Sequence, residues 1–367
     1  MNETAEPITP RGLAGVIVAD TAISEVRGDV GSFHYRGHDA VALAQASSFE
    51  EVWQLLIDGH LPDEDESTAF AQRIGEARAD ARIRSAWKVV REVAADPLAA
   101  LTAVWALAPV HDAHTPLYDL PPDRRRDAAV TAAAMVPAVI ALGAGSDPGY
   151  RGAVVTDHLR AVTGREPDAW ERNALSAYLV LAMDHGFNAS TFTARVIAST
   201  GASMTACLGG ALGALTGPLH GGAPARALKA LDHIEDVADM ESWIRAELTA
   251  GRRLMGFGHA VYRTADPRAQ LLKALALQRG GERVELAVAY EQCAVRVLDE
   301  VKPGRALHAN VELYAAVVME LGGIPRQLMT PTFAMARAVG WSAHALEQAA
   351  EAKIIRPASR YIGPPPV

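Results

Sequence analysis

Two long runs without a charged side chain, 128–145 and 196–225, constrain this 367-residue chain more than any other feature. A stretch that long and that apolar has to leave water, either into a protein core or into a bilayer. The first run follows Arg124, Arg125 and Arg126, but it is mostly alanine and Pro137 is expected to break it, so it makes a poor membrane span. The second carries Gly209, Gly213 and Gly217 at spacing four and ends in the turn Pro218-Leu219-His220. In lipid that spacing is a packing motif; the Ser, Thr and Gly around it point instead to one buried helix of a soluble protein. Glycines on one helical face let a neighbour approach to backbone distance, and a second copy of the chain is the expected neighbour.

Half of the residues are hydrophobic, only 6% are aromatic, alanine is abundant and strand-type alternation is rare. That combination predicts an all-α chain with ample core. One exception is 15–35, where Val16, Val18 and Ile23 flank polar residues and Arg27-Gly28-Asp29 reads as a turn, predicting a small hairpin. Ser47 and Ser48 can cap a helix from Phe49, which Leu61-Pro62 stops, and helical patterns continue over 64–95 and 97–109. Residues 111–122 read as a loop whose His111 and His114 lack the partners a metal site needs. Cys207 and Cys293 show no metal spacing and read as reduced core residues. The first ten residues are polar and acidic, unlike a signal peptide, so a cytoplasmic protein is expected. The net charge of −8 argues against nucleic acid as the partner.

Chemistry is densest over 255–268, Met-Gly-Phe-Gly-His-Ala-Val-Tyr-Arg-Thr-Ala-Asp-Pro-Arg. Gly256 and Gly258 allow positive φ and close approach to a ligand, while Asp266-Pro267 reads as a cap and first helical residue. His259 then sits on a loop and Arg268 in the following helix. Arg252, Arg253, Arg263, Arg268 and Lys273 against Asp266 leave a local charge of +4, which suits a small polyanion. A basic surface turn is the alternative.

Two further motifs follow the same order along the chain: Gly217-Pro218-Leu219-His220-Gly221-Gly222, before the stretch above, and Asn310-Val311-Glu312 after it. Together with Asp20-Thr21-Ala22-Ile23-Ser24, Tyr35-Arg36-Gly37, the 185–191 segment His-Gly-Phe-Asn-Ala-Ser-Thr, Arg337 and Arg356, they make the chain from Gly12 to Gly363 resemble the citrate synthase family. The resemblance implies a two-domain helical fold with a small N-terminal hairpin. Residues 1–218 and 321–367 would form the large domain and 219–320 the small one, closing on substrate. It further implies a homodimer that condenses acetyl-CoA with oxaloacetate, without metal or other cofactor. His220, at a helix start, would donate to the thioester oxygen, His259 would serve the ketone oxygen, and Glu312 would be the base. His185, Arg268, Arg337 and Arg356, the last from the other subunit, would hold oxaloacetate. Leu254, Met255, Gly256, Phe257, Gly258 and Arg263 would lie near coenzyme A.

The sequence departs from the family pattern twice. Glu312 stands where aspartate is usual, one methylene longer, and a displacement near 1 Å can cost roughly a hundredfold in rate. Gly186 stands where glutamate is common. These departures make a weakly active sensor of citrate or coenzyme A an alternative; a 2-methylcitrate synthase using propionyl-CoA, one methylene larger, and a helical scaffold without ligand are the others. For Glu312 the alternative to a base is a helix-surface residue paired with His308 four positions earlier.

Overall fold

Caps decide where the helices begin. In the computed structural model, which describes residues 10–92, 96–112, 114–149, 152–217, 220–221, 223–234, 236–259, 261–305 and 307–365, Ser48 and Glu51 close a reciprocal box. Asp63 with Glu66 and Asp168 with Glu171 do the same. The first elements are β1 (Ser24–Arg27), β2 (Ser32–Tyr35) and β3 (His38–Asp39), then α1 (Ala40–Ala46), α2 (Phe49–Asp58), α3 (Glu64–Arg78), α4 (Ala81–Val90) and α5 (Pro97–Leu107). There follow α6 (Pro122–Gly143), α7 (Val154–Thr163), α8 (Ala169–Ala182), α9 (Ala189–Ala198), α10 (Met204–Leu215) and α11 (Ala223–Asp232). The last are α12 (Met240–Thr249), α13 (Pro267–Arg279), α14 (Glu282–Val301), α15 (Val311–Leu321) and α16 (Arg326–Glu351). The chain is all-α apart from one small sheet.

The expected hairpin is present but short. Val16 and Val18 lie outside it and are exposed, and β3 adds a third antiparallel strand through His34 and Tyr35. Gly59, left-handed at φ 89°, ends α2 before Leu61-Pro62 is reached. The 64–95 pattern divides at Ala79 and Asp80, where the Asp80 side chain caps α4.

Both uncharged runs fold differently from the sequence reading. Pro137 does not break α6: every residue from Ala128 to Ala141 is buried, and packing offsets the ~3 kcal/mol a helical proline costs. By length and hydropathy α6 could cross a membrane, yet 78% of its apolar window is buried within the protein. The 196–225 run is not one helix. α9 ends at Ala198 and α10 starts at Met204, capped by Ser203. Gly201 turns at φ 81°, and a Cβ there would stand 2.5 Å from the Tyr118 ring. A turn built from Ser, Thr and Gly carries no charge, so polarity patterning could not reveal it.

α6, α9, α10 and α16 pack on one another, with α3 and α5 against α6. Helices α11 to α15 pack chiefly among themselves, with α13 and α15 also resting on α8. Among the described residues, nothing beyond α10's own backbone lies within 4 Å of a Cβ built at Gly209 or Gly213. Cys207 is buried as expected, but Cys293 is only half-buried beside Arg296 on α14. His111 accepts from the Met204 N–H at 3.4 Å, tying its loop to α10.

Candidate active site

A cleft of about 1410 Å³ opens where α8, α11, α15 and α16 meet the 254–259 loop. That loop is held by a short antiparallel pairing: Gly258 N donates to His308 O at 2.8 Å and Asn310 N to Gly256 O at 2.8 Å. Gly256 and Gly258 take φ of 87° and 79°. A Cβ at Gly256 would come within 3.0 Å of Leu313 Cβ, so the glycine seats the loop against the start of α15. Asn310 caps α15 through its Oδ1 to Glu312 N, and its amide donates to Gly258 O at 2.9 Å. The His259 loop and the Glu312 helix are thus one hydrogen-bonded unit.

His220, His259 and Glu312 all line this cleft. Val261 N and Tyr262 N donate to His259 Nδ1 at 3.0 and 3.1 Å, which leaves the ring proton on Nε2. Nε2 lies 3.3 Å from Arg268 Nη2. Two donors at one spot call for an oxygen from a ligand. Burial, reinforced by Arg268, lowers the His259 pKa to about 4, so the ring is neutral at pH 7. His220 is likewise lowered to about 4, by burial and then Arg337, and its Nε2 sits 2.8 Å from Ser190 Oγ. Its turn folds back on α10, with Gly221 N donating to Leu215 O at 2.8 Å. Glu312 is half-buried in the cleft, not paired on a helix surface, and burial raises its carboxyl to about 7 against the pull of Arg268.

Two arginines sit beneath the cleft. Arg268 is fixed by Asp266, Nε to Oδ1 at 3.0 Å and Nη2 to Oδ2 at 2.8 Å. Asp266 also accepts from Val311 N at 3.0 Å, so it locks α13 to α15. Arg337, 3% exposed on α16, has no hydrogen-bond partner for Nε or Nη1 among the described residues. His185, after α8, also lines the cleft; burial and Arg268 push its pKa well below the ordinary value. Gly186 has φ 63° and donates to Asp184 Oδ2 at 3.0 Å, a left-handed turn in which glutamate would be strained.

Leu254, Met255, Gly256, Phe257 and Gly258 line the cleft. Arg263 does not: it is exposed, and its N–H donates to Gly28 O at 2.9 Å on the β1–β2 turn. Arg356 is exposed on the C-terminal segment and is not among the residues that line this cleft. Sequence reading missed Tyr178 and Ala182, which share one face of α8 a turn apart, and Phe333, one turn before Arg337. It also missed the basic mouth, Arg226, Lys229, Lys302 and Arg305, because those residues lie on segments remote from one another in sequence. Among the described residues no group of three or more His, Cys, Asp or Glu could hold a metal.

Neutral imidazoles, a carboxylate poised near 7 and buried guanidinium groups on an all-α scaffold define a transferase-type condensing site. Residues 12–358 match the family model for the citrate synthase C-terminal domain. A putative citrate synthase 2 of Mycobacterium tuberculosis is 41% identical over 97% of this chain and 93% of its own. A 2-methylcitrate synthase of Shewanella oneidensis is 33% identical, covering 99% and 97%. A Thermoplasma acidophilum citrate synthase, solved as a ternary complex with carboxymethyl coenzyme A and oxaloacetate, superposes with a TM-score of 0.87 at 28% identity, covering 97% of each chain. The chain belongs to the citrate synthase family.

Proposed function

We propose that this enzyme condenses acetyl-CoA with oxaloacetate and hydrolyses the citryl thioester to citrate and coenzyme A. The observation that carries the reading is Arg337: a buried guanidinium with two unpartnered nitrogens beside a cleft needs an anionic ligand. Oxaloacetate carries two carboxylates, for Arg337 and for the Arg268 face, with His185 adding a donor.

Glu312 removes a methyl proton from the thioester, and the electron pair moves onto the thioester oxygen. Ser190 Oγ lies 2.8 Å from both Asn188 Oδ1, to which it donates, and His220 Nε2, so His220 holds that oxygen through Nδ1–H once the Ser190 proton turns from Asn188 to Nε2; Asn188 Oδ1 still accepts the Thr191 N–H at 3.1 Å. The enolate carbon attacks the ketone, and His259 Nε2–H meets the developing alkoxide. Water then cleaves the thioester. The basic mouth and the 254–258 loop face the phosphates of coenzyme A, and the exposed Arg263 lies outside that role in this conformation. No metal or prosthetic group enters the proposed chemistry.

We place 219–320 in a small domain that closes over 1–218 and 321–367. The open Gly209 and Gly213 face of α10 is the homodimer contact, and Arg356 completes the neighbouring subunit's site; a light-scattering mass of one chain overturns both. The protein is proposed to be cytoplasmic. Propionyl-CoA remains the competing thioester because one methylene is worth only ~1–3 kcal/mol in a pocket. Oxaloacetate-dependent thiol release, measured with both thioesters, tests the reading. Faster turnover of propionyl-CoA replaces acetyl-CoA in it, and ligand binding without release favours a sensor.

A further inference from the structure

Tyr262 stands behind the proposed oxaloacetate site and outside the cleft wall. It is 5% exposed, its ring lies 4.8 Å from that of His259 and 5.4 Å from that of His185, and its hydroxyl is 3.0 Å from His185 Nε2. The Arg268 guanidinium lies 5.6 Å from the same ring. Phe33 closes another side of His185 at 5.6 Å, and among the described residues His185 Nδ1 has no hydrogen-bond partner.

A neutral imidazole has one donor and one acceptor, and the partner of one nitrogen sets the role of the other. If Nε2 kept the proton, Nδ1 would turn a lone pair toward a carboxylate, which repels it. We propose that Tyr262 is a positioning residue: its hydroxyl donates to His185 Nε2 and keeps the ring proton on Nδ1, the nitrogen left to hold a carboxylate oxygen of oxaloacetate. This rests on the assignment of His185 to that substrate. Burial and the Arg268 charge keep His185 neutral, and burial keeps the Tyr262 phenol protonated, so donor and acceptor persist across neutral pH. Tyr262 also lends its backbone N–H to His259 Nδ1 beside that of Val261, so the same turn bears on the proton position of both histidines.

Nitrogen-15 NMR of the His185 ring in unliganded protein, assigned by comparison with His185→Gln, reads the tautomer directly. A proton on Nδ1 is expected, and a proton on Nε2 overturns the proposal. Tyr262→Phe keeps the ring contacts and loses only the hydroxyl. It is expected to shift the proton toward Nε2 and raise the oxaloacetate KM about tenfold, leaving the thioester KM within about twofold and lowering the Tm by no more than the loss of one buried hydrogen bond. An unmoved tautomer with both KM values rising together marks Tyr262 as merely structural and overturns the proposal. If wild-type protein binds no oxaloacetate, the functional reading falls and takes the ligand role of His185 with it; the tautomer, measured without substrate, is decided separately.

Discussion

Arg268 and Arg337 lie under the same cleft, and the protein treats them differently. Arg268 carries its own counter-charge, with Asp266 gripping it through two side-chain bonds and reaching on to the Val311 N–H. Arg337 has Phe333 stacked at 5.0 Å, while Nε and Nη1 go without a partner among the described residues. The first guanidinium is part of the scaffold and the second is held in reserve for a ligand. Asp184 acts on Arg337 through its field without a hydrogen bond, so the desolvation of Nε and Nη1 is fully offset only when an anion arrives.

The comparison breaks if the two positions respond alike. Arg268→Met strands Asp266 in a buried site, so it is expected to lower stability by ~3–5 kcal/mol in a denaturant titration, and to lose activity with it. Arg337→Met removes a guanidinium that no carboxylate grips, and Asp184, which acts on it only through its field, keeps His344, so the unliganded Tm is expected to fall far less than in Arg268→Met. The same variant should weaken oxaloacetate binding about a hundredfold by calorimetry, and a Tm as low as that of Arg268→Met with intact binding would reverse the assignment of roles.

The pH profile sharpens the contrast from between the arginines. Glu312 must be deprotonated to act as base, and burial raises its pKa to about 7. Below that pH the carboxyl is protonated, so kcat/KM is expected to climb about tenfold per pH unit and level off above it. Glu312→Gln should flatten the residual profile, and an unchanged acid limb in that variant would assign the limb to another group. The smallest effect is expected at Gly28, whose carbonyl holds Arg263 N and whose missing Cβ leaves room for Val261 O at 2.2 Å. Gly28→Ala pushes on the 261–263 turn that fixes His259, and should lower kcat severalfold on the Arg268 side of the cleft with oxaloacetate affinity through Arg337 retained.

Residues could be read in sequence where their role depends on near neighbours. Asp266-Pro267 announced a cap, and α13 starts there; Ser48 did the same for α2. Motif order placed His185, His220, His259, Glu312, Arg268 and Arg337, and all six line one cleft. Gly186 looked like a defect against the family pattern, and its left-handed φ shows a turn to which glycine is suited. Pro137 misled, because a helix buried on every side tolerates a residue that would break an isolated one.

Local chemistry, then, was written in the chain: helix caps, the glycine loop around His259, the absence of strand patterning, and the identity of the charged groups. Tertiary structure decided what those groups can do. Whether Glu312 titrates near 4 or near 7, whether Arg337 has a partner, and which nitrogen of His185 carries a proton all depend on burial and on residues such as Tyr262, far off in sequence. The physical reason is reach. Propensity and capping act within a turn or two of backbone, whereas desolvation and hydrogen-bond partnership are set by whatever the fold brings alongside.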